Sequence, residues 1–229
     1  MADVTKFISG IANFQQQHFG ENPELASTLL SGQKPQALLI GCCDSRVDPA
    51  LLTDSAPGDL FILRNIANLV PPYSKSDDYH GVSSSIEYAV CFLEVSDIIV
   101  LGHSNCGGIG ALMDSAKGEK VGEFIGKWVS IAASARDKVL TEMPQEEKEK
   151  QTRACEKEAI LVSLKNLMTF PWVKERVAKG QLSVHGWYYN MGTGQLRYYN
   201  PLTGEFEILV ERYSPGQKTT EEEQAITEK

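Results

Sequence analysis

Positive charge is scarce in this chain: 22 Lys and Arg stand against 30 Asp and Glu, giving a formal net charge of −8 and a pI near 5.1. That balance argues against a broad phosphate-binding face, so nucleic acid is not the expected partner. Long apolar runs are also missing. No stretch approaches the roughly 18 residues of a membrane-spanning helix. The opening MADVTKFISG has neither the cationic segment nor the apolar core of a secretory leader. Cysteine is sparse: five residues, odd in number, scattered, and never in a C-x-x-C pair. A disulfide framework is therefore excluded, and thiol redox chemistry is a weak reading, because adjacent Cys42 and Cys43 would make a strained bridge. These absences point to a reducing compartment, the cytoplasm being the simplest, with thiols that are free or metal-bound.

What is present suits one globular domain, with 42% hydrophobic and 23% charged residues. No internal repeat or linker divides the chain. Val4, Phe7, Ile8, Ile11 and Phe14 form one stripe at helical spacing. ENPELASTLLSG follows, with Asn22 as N-cap, Pro23 at the first helical position and Gly32 as a stop. These N-terminal helices have no core of their own and are expected to pack on a neighbouring subunit. QALLIGC, GDLFILRN and DIIVLGH read as buried strands. GVSSSIEYAVCFLEV reads as a helix with Ile86, Val90 and Leu93 on one side, and CGGIGALM opens another. Residues 121–141 and 145–169 read as two more helices. QLSVHGWYYN and QLRYYN look like sheet-edge strands joined at GTG. The fold class is α/β, a mostly parallel central sheet flanked by helices on both faces. The expected divisions are a helical arm over residues 1–34, the α/β domain over 35–213, and a polar tail over 214–229.

In an open α/β sheet, ligands gather at the carboxyl ends of strands. Two strands here end unusually, in Gly41-Cys42-Cys43-Asp44-Ser45-Arg46 and in Gly102-His103-Ser104-Asn105-Cys106-Gly107. If the strands are neighbours, two thiols and an imidazole converge. That donor set suits tetrahedral zinc, and three protein ligands leave a fourth position for water. Successive strand residues face opposite ways, so only one of the paired cysteines can reach the ion. With Cys42 as that ligand, Cys43 is left as a small packing residue and Asp44 lies on the ligand's side. Two thiolates and Zn2+ make the site formally neutral, so its water is acidified less than at three imidazoles. A carboxylate that takes a hydrogen bond from that water would help orient hydroxide. Arg46 can hold Asp44 bidentately, ionised and off the metal.

CCDSR together with HSNCGG resembles the β-class carbonic anhydrases, whose motifs are C-x-D-S-R and H-x-x-C. The resemblance continues through PGDLFILRNIANLVPPY, GVSSSIEYAV, VSDIIVLGHSNCGGI and HGWYYNMGTG. It implies zinc-dependent, reversible hydration of CO2 to bicarbonate and a proton, by attack of zinc-bound hydroxide. By motif match it implies Cys42, His103 and Cys106 as zinc ligands, and Asp44 with Arg46 as the catalytic dyad. It further implies Gln33, Phe61, Ile66, Tyr88 and the Gly107 N–H as substrate contacts. A dimer or higher oligomer is implied, in which Phe61, Ile66 and Tyr88 reach a neighbour's site. Some members are closed by bicarbonate through a tryptophan three residues before the first ligand. Leu39 stands there, which favours an always-open site over one with Asp44 as fourth ligand.

Two other functions compete with this one: hydrolysis of COS or CS2 on the same fold, and a non-catalytic zinc module with a closed site. Cys91 and Cys155 read as packing residues on helices. His185 reads as a hydrogen-bonded structural histidine, His80 as a surface residue, and His18 as a cation suited to the end of the first helix.

Overall fold

The computed structural model describes residues 4–20, 29–76, 78–116, 118 and 121–214. Six strands form one sheet in the order β2-β1-β3-β4-β5-β6: Leu60–Asn65, Ala37–Cys42, Asp97–His103, Ser183–Tyr189, Leu196–Asn200 and Glu205–Val210. The first four are parallel, and β5 and β6 run antiparallel. Every residue of β1 is buried, as an apolar run without alternation requires.

The strand period sorts the core. Leu38 and Ile40 of β1 pack with Ile86, Val90, Ile98, Val100, Ile160 and Phe170. Leu39 points the other way, onto Val47, Ile99, Leu101 and Trp187. The first face is covered by helices, chiefly Lys148–Leu167, which buries Glu156, Ala159, Ile160, Ser163 and Leu167 along one stripe. The second face is packed mainly by strand and turn residues, so the expectation of helices on both faces holds only in part.

Several elements differ from the sequence reading. Residues 121–141 do not make one helix. Gly122 at φ +55 delays its start, and Ala132 (φ −99, ψ 21) breaks it into Ile125–Val129 and Ala133–Glu142 around a 3-10 turn. β4 is not an edge strand but lies between β3 and β5. Its hairpin partner β5 is reached through a turn in which the Thr193 and Gly194 N–H groups bond to the Asn190 carbonyl. The outer edge is β6, which the sequence reading missed, together with a helix at Pro171–Ala178. Cys43 and Cys91 are exposed, not packed, whereas Cys155 is buried. His185 does bond to a neighbour, Asp97, at 2.9 Å, and His80, half-buried rather than fully at the surface, bonds to Ser76 at 2.8 Å.

The N-terminal helix, Thr5–Gln15, buries none of its residues. Its stripe is open, with Phe7 70% and Ile11 63% exposed. Asn22 and Pro23, and the side chain of His18, lie outside the described residues; Gly32 has φ +106, the left-handed geometry of a stop. No helix among the described residues is long and apolar enough to cross a membrane.

Candidate metal centre and active site

β1 and β3 are hydrogen-bonded neighbours, with Gly41 opposite Leu101. Cys42 therefore ends one strand beside His103, which ends the other. The chain then turns through Asn105 in the left-handed region at φ +59, a conformation asparagine tolerates better than most residues. This turn brings Cys106 back as the N-cap of the helix Gly107–Ser115. Cys42, His103 and Cys106 are all buried, and their donor atoms lie within 4.8 Å of one another.

Three observations fit this cluster to a metal. The two sulfurs are 3.9 Å apart. Two thiolates at a zinc–sulfur length of ~2.3 Å and a tetrahedral angle lie about 3.8 Å apart. His103 Nδ1 is bonded to the Ser104 carbonyl at 2.9 Å, which leaves Nε2 as the free ring nitrogen. Nε2 is also a buried side-chain atom with no hydrogen-bond partner among the described residues, which fits a ligand role.

The thiols are poised as a pair. The hydrogen bond with Cys106 brings the Cys42 thiol down to about 4, against burial, with help from His103 and from the Asp44 and Ala67 N–H groups. The same hydrogen bond, joined by burial and the Cys42 charge, pushes Cys106 up. Burial pulls His103 down, but the Cys42 sulfur, the Ser104 carbonyl and Asp44 outweigh it and leave it raised.

Asp44 and Arg46 form a fork. Asp44 Oδ1 accepts from Arg46 Nε at 2.9 Å and from its backbone N–H at 3.0 Å, and Oδ2 accepts from Nη2 at 2.7 Å. The Arg46 hydrogen bond holds the Asp44 carboxyl well below the usual carboxylate range. Asp44 Oδ2, while accepting from Arg46, also stands 4.0 Å from His103 Nε2, so the carboxylate faces the cluster. Arg46 Nη2 also reaches the Asn105 carbonyl at 3.2 Å, tying the two strand-end loops together.

The other expected residues divide into two groups. Ile66 and Gly107 lie beside the cluster: a Cβ on Gly108 would come within 2.6 Å of Ile66 Cγ2. Phe61 and Tyr88 do not. Phe61 pairs with Leu38, about 13 Å along the strand from Cys42. Its ring packs on Tyr88, 5.8 Å between centroids, and Tyr88 stacks on Phe92. Gln33 is exposed ahead of β1, at the end of the strand away from Cys42.

Two residues around the cluster escaped the sequence reading. Arg64 donates to the carbonyls of Cys42 at 2.8 Å, Asp44 at 2.7 Å and Val47 at 3.0 Å, and to Asp48 at 3.2 Å. It is the clamp that shapes the CCDSR loop, and a charge at the end of the apolar run FIL was its only signal. Asn65 brackets the next loop, its side chain accepting from and donating to Leu69 at 2.9 Å each. Within that bracket Ala67 and Asn68 hold left-handed backbone at φ +62 and +49, local strain of the kind kept at working sites.

The carbonic anhydrase family profile matches residues 37–196. Among characterised proteins, β carbonic anhydrase 3 of Arabidopsis thaliana is 40% identical over 83% of this chain and 74% of its own length. Among solved structures, the β-carbonic anhydrase CcaA is 36% identical with a TM-score of 0.84, covering 90% of this chain and 100% of its own. A tetrameric β-carbonic anhydrase of Sordaria macrospora is 29% identical with a TM-score of 0.71, over 92% of this chain and 97% of its own. Motifs, strand-end cluster and relatives agree: this chain belongs to the β-carbonic anhydrase family of enzymes.

Proposed function

We propose that this chain catalyses the reversible hydration of CO2 with zinc held by Cys42, His103 and Cys106. The observation that carries the reading is Asp44 Oδ2, held by Arg46 and 4.0 Å from Nε2 of His103 in a buried Cys2His cluster. Zinc held at that point would supply the Lewis acidity that acidifies a bound water. Asp44 accepts a hydrogen bond from that water and orients it. Arg46 keeps Asp44 ionised and turned away from a ligand role, which supports the open rather than the Asp44-closed arrangement. Ile66 supplies an apolar wall suited to an uncharged substrate, and the Gly107 N–H a donor for a substrate oxygen.

Gln33, Phe61 and Tyr88 sit too far along β1 and β2 to serve their own chain's cluster. They act on a neighbouring chain's site, and the exposed stripe of the 1–34 arm packs on that neighbour. The tetrameric Sordaria relative supports such self-association. The α/β domain of residues 35–213 is the catalytic unit, with 214–229 a polar tail. Five free cysteines suit a reducing compartment such as the cytoplasm.

Stopped-flow CO2 hydration on zinc-quantified protein, across pH, tests the reading. Hydration should rise with pH, and Asp44→Asn should lose about 100-fold or more while keeping its zinc. Stoichiometric zinc with no hydration at any pH would sink the proposal, and COS and CS2 would be assayed next.

A further inference from the structure

Glu156 is a carboxylate where a carboxylate is costly. It lies on the sheet-facing stripe of the helix Lys148–Leu167 and is 2% exposed. Such a group persists only when fully paired. Its Oε1 accepts the backbone N–H of Cys106 at 3.1 Å and Arg153 Nη1 at 2.9 Å. Its Oε2 accepts the Tyr188 hydroxyl at 2.7 Å and the same Arg153 nitrogen at 3.2 Å. Arg153 Nη2 continues to the side chain of Asn105. Each hydrogen-bond partner of this carboxylate is a donor; one, the Cys106 N–H, belongs to the Asn105-Cys106 turn, and a second, Arg153, is itself linked to that turn.

Cys106 needs that support. Its own N–H, at the N-cap of the helix Gly107–Ser115, lies outside the helical ladder and is taken up by Glu156 instead. The same residue must aim its sulfur at the cluster from a turn whose preceding residue has left-handed backbone. A backbone hydrogen bond to a rigidly held acceptor fixes the peptide plane of Cys106, and with it the direction of its Cα–Cβ bond. Tyr188 from β4 and Arg153 from the helix lock that acceptor, so Glu156 transmits the position of the long helix to the sulfur.

We propose that Glu156 is a positioning residue for the Cys106 sulfur, setting metal affinity through the Cys106 N–H. The inference rests on the zinc reading above. The test is zinc affinity by chelator competition, with the absorption spectrum of the cobalt(II)-loaded protein as a second readout, on Glu156→Asp, Glu156→Gln and Tyr188→Phe. Glu156→Asp keeps the charge but withdraws it by one methylene from Cys106. It should weaken zinc by about 10- to 100-fold and shift the thiolate-to-cobalt band. Glu156→Gln keeps the length but offers one acceptor oxygen to three donor groups, and should fall between Asp and wild type. Tyr188→Phe removes one of the two groups that hold the carboxylate but leaves Arg153 and the Cys106 N–H on Glu156, and should weaken zinc clearly less than Glu156→Asp does.

Wild-type affinity and an unshifted cobalt band in Glu156→Asp would overturn the inference. Should that variant fail to fold, Glu156→Gln decides: clearly weakened zinc supports the inference, and wild-type affinity overturns it. Equal weakening by Tyr188→Phe and Glu156→Asp also overturns it, because the network would then act only on overall packing. A wild-type chain that takes up no zinc overturns the zinc reading itself and the inference with it.

Discussion

Gly102 of β3 lies so close under the long helix that a Cβ there would come within 2.7 Å of Ile160 Cδ1 and 2.8 Å of its Cγ1. One strand over, a Cβ on Gly186 would meet Ile160 Cγ2 at 2.9 Å. Two glycines on neighbouring strands thus make the floor on which one isoleucine sits, next to His103. Gly102→Ala should destabilise the fold by roughly 1–3 kcal/mol in urea denaturation. Ile160→Ala alone should cost about 2–5 kcal/mol. The double substitution should cost less than the sum, because the new methyl occupies space the isoleucine vacated. Strict additivity would refute the contact.

Removing a ligand should empty the site without unfolding the sheet. His103→Ala and Cys106→Ser should each retain far less than one zinc per chain after passage over a chelating resin, with secondary structure by circular dichroism unchanged. Retention of full zinc by either variant would refute the cluster as the metal site.

Asp97 makes a prediction about acid. Burial alone would raise its carboxyl, but the Ser96 hydroxyl and His185 outweigh that and hold it below its ordinary value of 3.8. The unfolded chain then binds this proton more readily than the folded one. The stabilisation is present above the ordinary carboxylate range and is lost as pH falls through the lower, folded value. The side chain is 30% exposed, so the effect is small, below about 1 kcal/mol. Asp97→Asn should lower stability at pH 7 by that amount and flatten the acid limb of the stability profile near pH 4. An acid limb identical to wild type would refute it.

The open stripe on the N-terminal helix makes a prediction about assembly. Phe7→Glu with Ile11→Glu places two charges on a face that is 63–70% exposed within the chain, so the isolated fold should tolerate them. If the stripe packs on a neighbour, sedimentation should show a smaller species with unchanged secondary structure. An unchanged sedimentation coefficient would place the subunit contact elsewhere.

How much could be read without coordinates depended on how unusual each residue was for its setting. LLI and IIVL had to be buried strands because no single-faced element hides so many apolar neighbours, whereas FIL, expected to be buried as well, lies on the sheet edge with Ile62 39% exposed. Thiol, imidazole and carboxylate at strand ends are rare enough to declare a site. Glu156 was hidden by its company: in EKEKQTRACEKEA a glutamate looks solvated, and only packing reveals that it shares a stripe with Ala159 and Ile160. Gln33 was legible in type but not in place: the whole of β1 stands between it and Cys42, and only coordinates show that it lies at the far end of that strand. β6 escaped because Glu205 and Glu207, alternating with Phe206 and Ile208, run straight into a polar tail.

The ligands also have a thermodynamic meaning. Cys42 closes β1, and His103 with Cys106 closes β3, so an ion held between them stitches the two central strands across a wide gap in sequence. The site exists only when those strands are paired, hence the ion favours the folded state alone. At a hundredfold excess over its dissociation constant such a ligand adds about 2.7 kcal/mol. With zinc as the proposed ion, its free concentration would be a variable of state for this chain, on the same footing as temperature or urea. A melting curve recorded without a metal buffer measures two unknowns at once.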